Sequence, residues 1–100
     1  MILVYITCKD KEESSKISRH LLEKKLIACT NIHPIESLYW WEGKIQEESE
    51  VVVIAKTKDS NYDKVKEEVK KIHSYDVPCI IKIKAEANSE YDKWINEECS

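Results

Sequence analysis

Tyr39-Trp40-Trp41-Glu42-Gly43-Lys44-Ile45 holds the only glycine in a chain of 100 residues, beside two of its three tryptophans. Glycine reaches positive φ without the steric penalty other residues carry. A lone glycine between two aliphatic and aromatic runs reads as the tip of a β-hairpin. With Glu42 and Gly43 as a two-residue loop, Trp41 faces Lys44, Trp40 faces Ile45, Tyr39 faces Gln46 and Leu38 faces Glu47. The arms then run from about Ala28 to Trp41 and from Lys44 to Thr57. Both exceed the usual strand length of roughly 5–6 residues.

Alternation along the arms sets two faces. One carries Ile32, Leu38, Trp40, Ile45, Val51, Val53 and Ala55, and is predicted to lie under helices as the core. The other carries Cys29, Ile35, Tyr39, Trp41, Val52 and Ile54, mixed with His33, Lys44 and Gln46. So many apolar groups on an uncovered face predict an interaction surface between copies of the chain. Pro34 cannot donate to a ladder and predicts a bulge or an edge, so this pattern leaves the register upstream of Ile35 open.

The flanking segments complete a pattern. Ile2 to Thr7 is a short β-branched run and reads as a buried strand. Asp10 with Glu13 three residues on resembles a capping box. The helix it opens is expected to reach about Leu26, with Ile17, Leu21, Leu22 and Leu26 on one side. Asp59 or Ser60 is expected to cap a second helix, whose stripe Tyr62, Val65, Val69 and Ile72 has helical spacing and which ends near His73. Cys79 to Ile83 reads as a strand. Ser89 is expected to cap a final helix bearing Tyr91, Trp94 and Ile95. The order βαββαβ plus a C-terminal helix implies an α+β, ferredoxin-like sandwich: a four-stranded antiparallel sheet with two helices on one face. The whole span 1–100 reads as one domain.

Composition narrows the function classes. A net charge of −3 lacks the basic footprint that nucleic-acid binding needs. No apolar run is long enough to span a bilayer, and Ile2 to Ile6 has no basic leader of a signal peptide. The expectation is a cytoplasmic protein. Its four cysteines, Cys8, Cys29, Cys79 and Cys99, form no C-x-x-C pair and are expected to be free thiols. No G-x-S-x-G, H-E-x-x-H or spaced Cys–His pair is present, so catalysis is not expected. There is no Gly-rich phosphate loop either.

Five stretches together resemble the CutA, or divalent-cation tolerance, family. They are Lys25-Leu26-Ile27-Ala28-Cys29-Thr30-Asn31-Ile32, Ser37 through Ile45, Lys56-Thr57, His73-Ser74-Tyr75-Asp76-Val77-Pro78, and Tyr91-Asp92-Lys93-Trp94-Ile95. The hairpin tip is the most specific of them. The resemblance implies a ferredoxin-like fold, a homotrimer of the PII-like plan and a role in copper or other divalent-cation tolerance. In family members proposed to bind copper, the suggested ligands are a cysteine near the end of the first strand, the histidine of the His-Pro-Tyr loop and an acid after its second proline. This chain keeps His73, has Cys79 where that acid would be, and places Cys8 two residues beyond the matching Ile6.

Copper and zinc favour imidazole and thiolate ligands, so Cys8, His73 and Cys79 are the metal candidates. His20 and His33 have no ligand partner at motif spacing. The alternative is a PII-like signalling trimer that binds a small effector or a protein partner between subunits. Trp41, Glu42, Lys44, Lys56 and Tyr75 would supply charge, a hydroxyl and an aromatic wall to such a cleft.

Overall fold

The computed structural model describes residues 1–100. The elements are β1 (Ile2–Cys8), α1 (Lys11–Glu23), β2 (Cys29–Trp41), β3 (Lys44–Thr57), α2 (Tyr62–Ile72), β4 (Ile80–Lys84) and α3 (Ser89–Glu98). The strands form one sheet in the order β2-β3-β1-β4, with every neighbouring pair antiparallel. The α+β ferredoxin-like reading holds.

The β2–β3 register runs unbroken from Cys29 opposite Lys56 to Trp41 opposite Lys44. Glu42 and Gly43 both have positive φ, 50° and 77°, as a type I′ hairpin turn requires. Pro34 sits opposite Val51 without a bulge. It is tolerated because β2 is an edge strand, where a missing N–H leaves no partner unsatisfied.

The core lies between the sheet and α1 and α2. Ile2, Val4, Ile6 and Cys8 of β1 meet Val53 and Ala55 of β3, with Ile17 and Leu21 of α1 and Val65 and Val69 of α2 above them. Val65 and Val69 thus bury the predicted α2 stripe, while Tyr62 and Ile72 pack at its margin.

α1 stops at Glu23 rather than near Leu26. Lys25 takes a left-handed φ of 57°, the Leu26 N–H donates to the Leu21 carbonyl at 3.0 Å, and the Lys25 N–H to that of Leu22 at 2.9 Å. This is a Schellman stop that turns Leu26 into the core without continuing the helix. Leu22, expected on the buried stripe, is exposed. α2 is preceded by a 3₁₀ turn, Asp59–Asn61, and no side chain caps it. Asp59 pairs instead with Lys82 at 3.0 Å. Asn61 is drawn inward, donating to the Leu26 carbonyl and to Thr57 Oγ1. Asn88, not Ser89, stands at the N-cap of α3, without a side-chain bond to the helix.

The main departure is at the hairpin tip. Leu38, Trp40 and Ile45 share the helix-side face by alternation, yet they are 67%, 72% and 63% exposed. Trp40 is not a core residue of the subunit. The reason is length. The 14 residues of β3 span about 46 Å, whereas the 13 residues of α1 span about 20 Å. The hairpin outruns its cover.

Candidate metal centre

One end of the sandwich gathers three segments distant in sequence. β1 ends in Cys8, whose side chain is fully buried on the helix side. The chain then turns through Lys9 into α1, where the Asp10 carboxylate accepts the Glu13 N–H at 2.8 Å as N-cap. Glu13, in the first turn, folds back so that one carboxylate oxygen accepts the Lys9 N–H at 3.0 Å. Its other oxygen accepts the Ser74 N–H at 3.0 Å, tying α1 to the loop after α2. The capping pattern places Glu13 here, and the fold buries it.

His73 closes α2. Its own N–H donates to the Val69 carbonyl, and its extended backbone ends the helix. The Tyr75 N–H reaches His73 Nδ1 at 3.0 Å, so Nδ1 is the acceptor nitrogen. Nε2 therefore carries the hydrogen and donates it to the Thr7 carbonyl at 2.8 Å. The ring is held from both sides.

Cys8 Sγ, a Glu13 carboxylate oxygen and a His73 ring nitrogen all lie within 4.8 Å of one another. Burial, reinforced by Glu13, Glu50 and Asp10, pushes the Cys8 thiol up to about 12. Burial also pushes the Glu13 carboxyl up, but hydrogen bonds from Ser74 and Lys9, with His73 nearby, outweigh it and hold it below its ordinary value. A thiol, a carboxylate and an imidazole converging at this largely buried end of the sandwich form a donor set suited to a metal ion.

Two of the three metal candidates, Cys8 and His73, are thus brought together. Cys79 is not in that group. It lies just before β4 and lines a groove of about 1000 Å³ on the face of the sheet away from the helices. Glu13 is the residue that ligand-type reasoning missed; its only signal was the cap. His20 is engaged elsewhere, 2.9 Å from Glu68.

The same groove holds Trp41 and Tyr75, with Tyr5 and Tyr39 as further aromatic walls. Its charged lining is Glu36, Glu48, Glu50 and Asp76, with no basic residue. Tyr75 donates its hydroxyl hydrogen to Glu50. Burial first, and that carboxylate second, raise the Tyr75 phenol well above its usual range. Glu42 and Lys44 sit at the hairpin tip, outside the groove. Lys56 sits at the other end of β3, donating to the Tyr91 hydroxyl at 3.2 Å. Within one chain, therefore, Lys56 stands apart from Trp41 and Tyr75, and Lys44, although opposite Trp41 on the neighbouring strand, does not line the groove.

The family described as CutA1 divalent ion tolerance protein matches residues 2–98. The chain belongs to that family. It is 46% identical over 99 residues to the divalent-cation tolerance protein CutA of Pyrococcus horikoshii, covering 98% of this chain and 97% of that one. It is 47% identical over 95 residues to CutA of Archaeoglobus fulgidus, covering 94% and 93%. The crystal structure of CutA1 from Pyrococcus horikoshii superposes with a TM-score of 0.96 at 44% identity, covering 100% of this chain and 99% of the other. The Archaeoglobus fulgidus structure, described as a periplasmic divalent cation tolerance protein, gives 0.95 at 46% identity over 98% of each chain. A PII-like CutA protein from Nostoc gives 0.93 at 25% identity, covering 100% and 98%. The family resemblance read from the hairpin tip is thereby established, and with it the CutA and PII-like fold. No helix is long and apolar enough to cross a membrane.

Proposed function

We propose that the protein is a non-catalytic, cytoplasmic homotrimer that binds copper or another divalent cation in the service of metal tolerance. The observation that carries the metal reading is the convergence of the Cys8 thiol at the end of β1 and the His73 imidazole at the end of α2. Family membership supports the same role. Titrating Cu(I) and Cu(II) into the wild type and His73→Ala tests it. The expected result is saturable binding that His73→Ala weakens at least tenfold; equal affinities would remove His73 from the site.

The trimer is supported by apolar surface that a lone subunit leaves bare. Leu38, Trp40, Trp41 and Ile45 project at the tip, and Ile81 and Ile83 are exposed on the sheet face away from the helices. A head-to-tail ring would cover one subunit's tip with the next subunit's sheet. Sedimentation equilibrium checks this, and a stable monomer at micromolar concentration is the result that sinks it.

A second reading, a PII-like trimer holding a small effector, is favoured by the aromatic groove containing Trp41 and Tyr75. Native mass spectrometry of protein purified without added ligand should then show a retained organic mass on the trimer. A bare trimer at full occupancy counts against it. Cell fractionation tests the cytoplasmic location.

A further inference from the structure

We propose that Cys8, Glu13 and His73 are the three protein ligands of a borderline divalent cation of the zinc class, and that binding it frees the Tyr75 backbone from His73. The proposal rests on the reading of this end of the sandwich as a metal site. It departs from the ligand set expected from the sequence by making Glu13, rather than Cys79, the third ligand.

The donor set disfavours Cu(I). Thiolate is soft, imidazole intermediate and carboxylate hard. Cu(I) favours sulfur ligands, whereas zinc and cobalt(II) accept all three donor types. Three protein ligands also leave a fourth position open to water or to a further donor. Metal–ligand bonds of about 2.0–2.3 Å put neighbouring tetrahedral donors roughly 3.3–3.8 Å apart. The present separations, all within 4.8 Å, need contract by little more than an ångström. The surroundings already resemble those of a metal-bound histidine, because the Nε2–H hydrogen bond to the Thr7 carbonyl orients the ring.

One amide is released whichever ring nitrogen binds. Nδ1 has a single lone pair, which now accepts the Tyr75 N–H. If the metal takes Nδ1, that lone pair is used. If the metal takes Nε2, the ring hydrogen moves to Nδ1, which then no longer accepts. Either way the Tyr75 N–H loses its partner. Glu13 differs, because each carboxylate oxygen has two acceptor sites and can ligate while still holding the Ser74 and Lys9 amides. Tyr75 is the hinge between two places. Its amide is fastened to the metal centre, and its ring and hydroxyl line the acidic groove against Glu50. Metal occupancy therefore reaches the groove through one residue.

The test uses the full chain with Co²⁺ as a spectroscopic probe and Zn²⁺ for amide exchange. The wild type should show a thiolate-to-cobalt charge-transfer band at one ion per chain. Cys8→Ser should abolish the band, Glu13→Gln should weaken binding at least tenfold, and Cys79→Ser should leave both unchanged. Gln at position 13 keeps an acceptor for one amide, and circular dichroism verifies that each variant is folded. On adding Zn²⁺, the Tyr75 amide should exchange at least tenfold faster. Wild-type affinity in Glu13→Gln, or loss of the band in Cys79→Ser, overturns the ligand set while the broader metal reading survives. Zinc binding with unchanged Tyr75 protection overturns the coupling. A wild type that binds neither Co²⁺ nor Zn²⁺ but does bind copper overturns this proposal alone, and one that binds no metal removes both.

Discussion

The base and the tip of the β2–β3 hairpin carry the same kind of sequence and meet opposite fates. At the base, Val53 and Ala55 are fully buried. At the tip, Leu38, Trp40 and Ile45 follow the same alternation, and most of their surface is open to solvent. Burial in a sheet is thus a property of what lies over the strand, not of the strand's pattern. The base lies under α1 and α2, and the tip extends beyond them. In the proposed trimer, large apolar groups stranded in this way would serve a second copy rather than the subunit.

The strongest way to break this comparison is to delete core volume under the helices. Ile6 is fully buried and sits opposite Val53. Ile6→Ala should cost about 2–5 kcal/mol in equilibrium denaturation at fixed chain concentration. A loss below 1 kcal/mol would mean the base is not the core.

Next come the tryptophans. Trp40→Ala and Trp41→Ala should each weaken association by about 2 kcal/mol or more, as central aromatic anchors do. Sedimentation over a dilution series would show it. Neither should change the unfolding of dissociated subunits by more than about 1 kcal/mol, since both side chains are already substantially exposed. If Trp40→Ala unfolds the subunit and Trp41→Ala does not, alternation has outweighed cover after all.

A third test concerns the helices that provide the cover. Glu68 of α2 accepts from Lys71 at 2.8 Å and lies 2.9 Å from His20 of α1. The Lys71 and His20 hydrogen bonds lower its carboxyl to about 2. A carboxyl depressed in the folded state stabilises above its ordinary value and loses that contribution as pH falls through the folded one. Thermal stability should therefore decline between about pH 4.5 and 2, and Glu68→Gln should flatten that part of the profile. An unchanged profile in Glu68→Gln would assign the acid limb to other carboxylates.

The smallest effect belongs to the turn. Glu42 holds a φ of 50° without being glycine, which asparagine tolerates better. Glu42→Asn should stabilise by up to about 1 kcal/mol in the same denaturation experiment. Gly43→Ala should destabilise by a similar amount, through backbone strain alone, because an added Cβ would meet nothing within 4 Å.

Much of the fold is legible because its signals are local. One glycine places the turn, the turn sets the register, and the register runs unbroken past Pro34 to Cys29. Asp10 and Glu13 mark the start of α1 within four residues. Helix ends are harder to read. The stop of α1 depends on Lys25 taking a left-handed conformation that glycine more often supplies, and no glycine marks it. The starts of α2 and α3 likewise lack the side-chain caps that Asp59, Ser60 and Ser89 suggest, and Asp59 pairs with Lys82 instead.

The candidate site divides in the same way. Cys8 and His73 stand out by residue type alone. Glu13 looks like a capping residue and nothing more until α2 delivers Ser74 and His73 to it. Cys79 is close in sequence to His73 but faces the groove on the other side of the sheet.

Sequence by itself determined the family, the βαββαβ order, the turn and the hairpin register from Ile35 to Trp41. Each of these depends on neighbours along the chain or on a period along one element. Tertiary structure alone decided that Trp40 is surface, that Glu13 joins Cys8 and His73, and that Lys56 stands apart from Trp41. Those facts depend on how far one element reaches over another and on which ends of distant elements coincide, distances that no local pattern encodes.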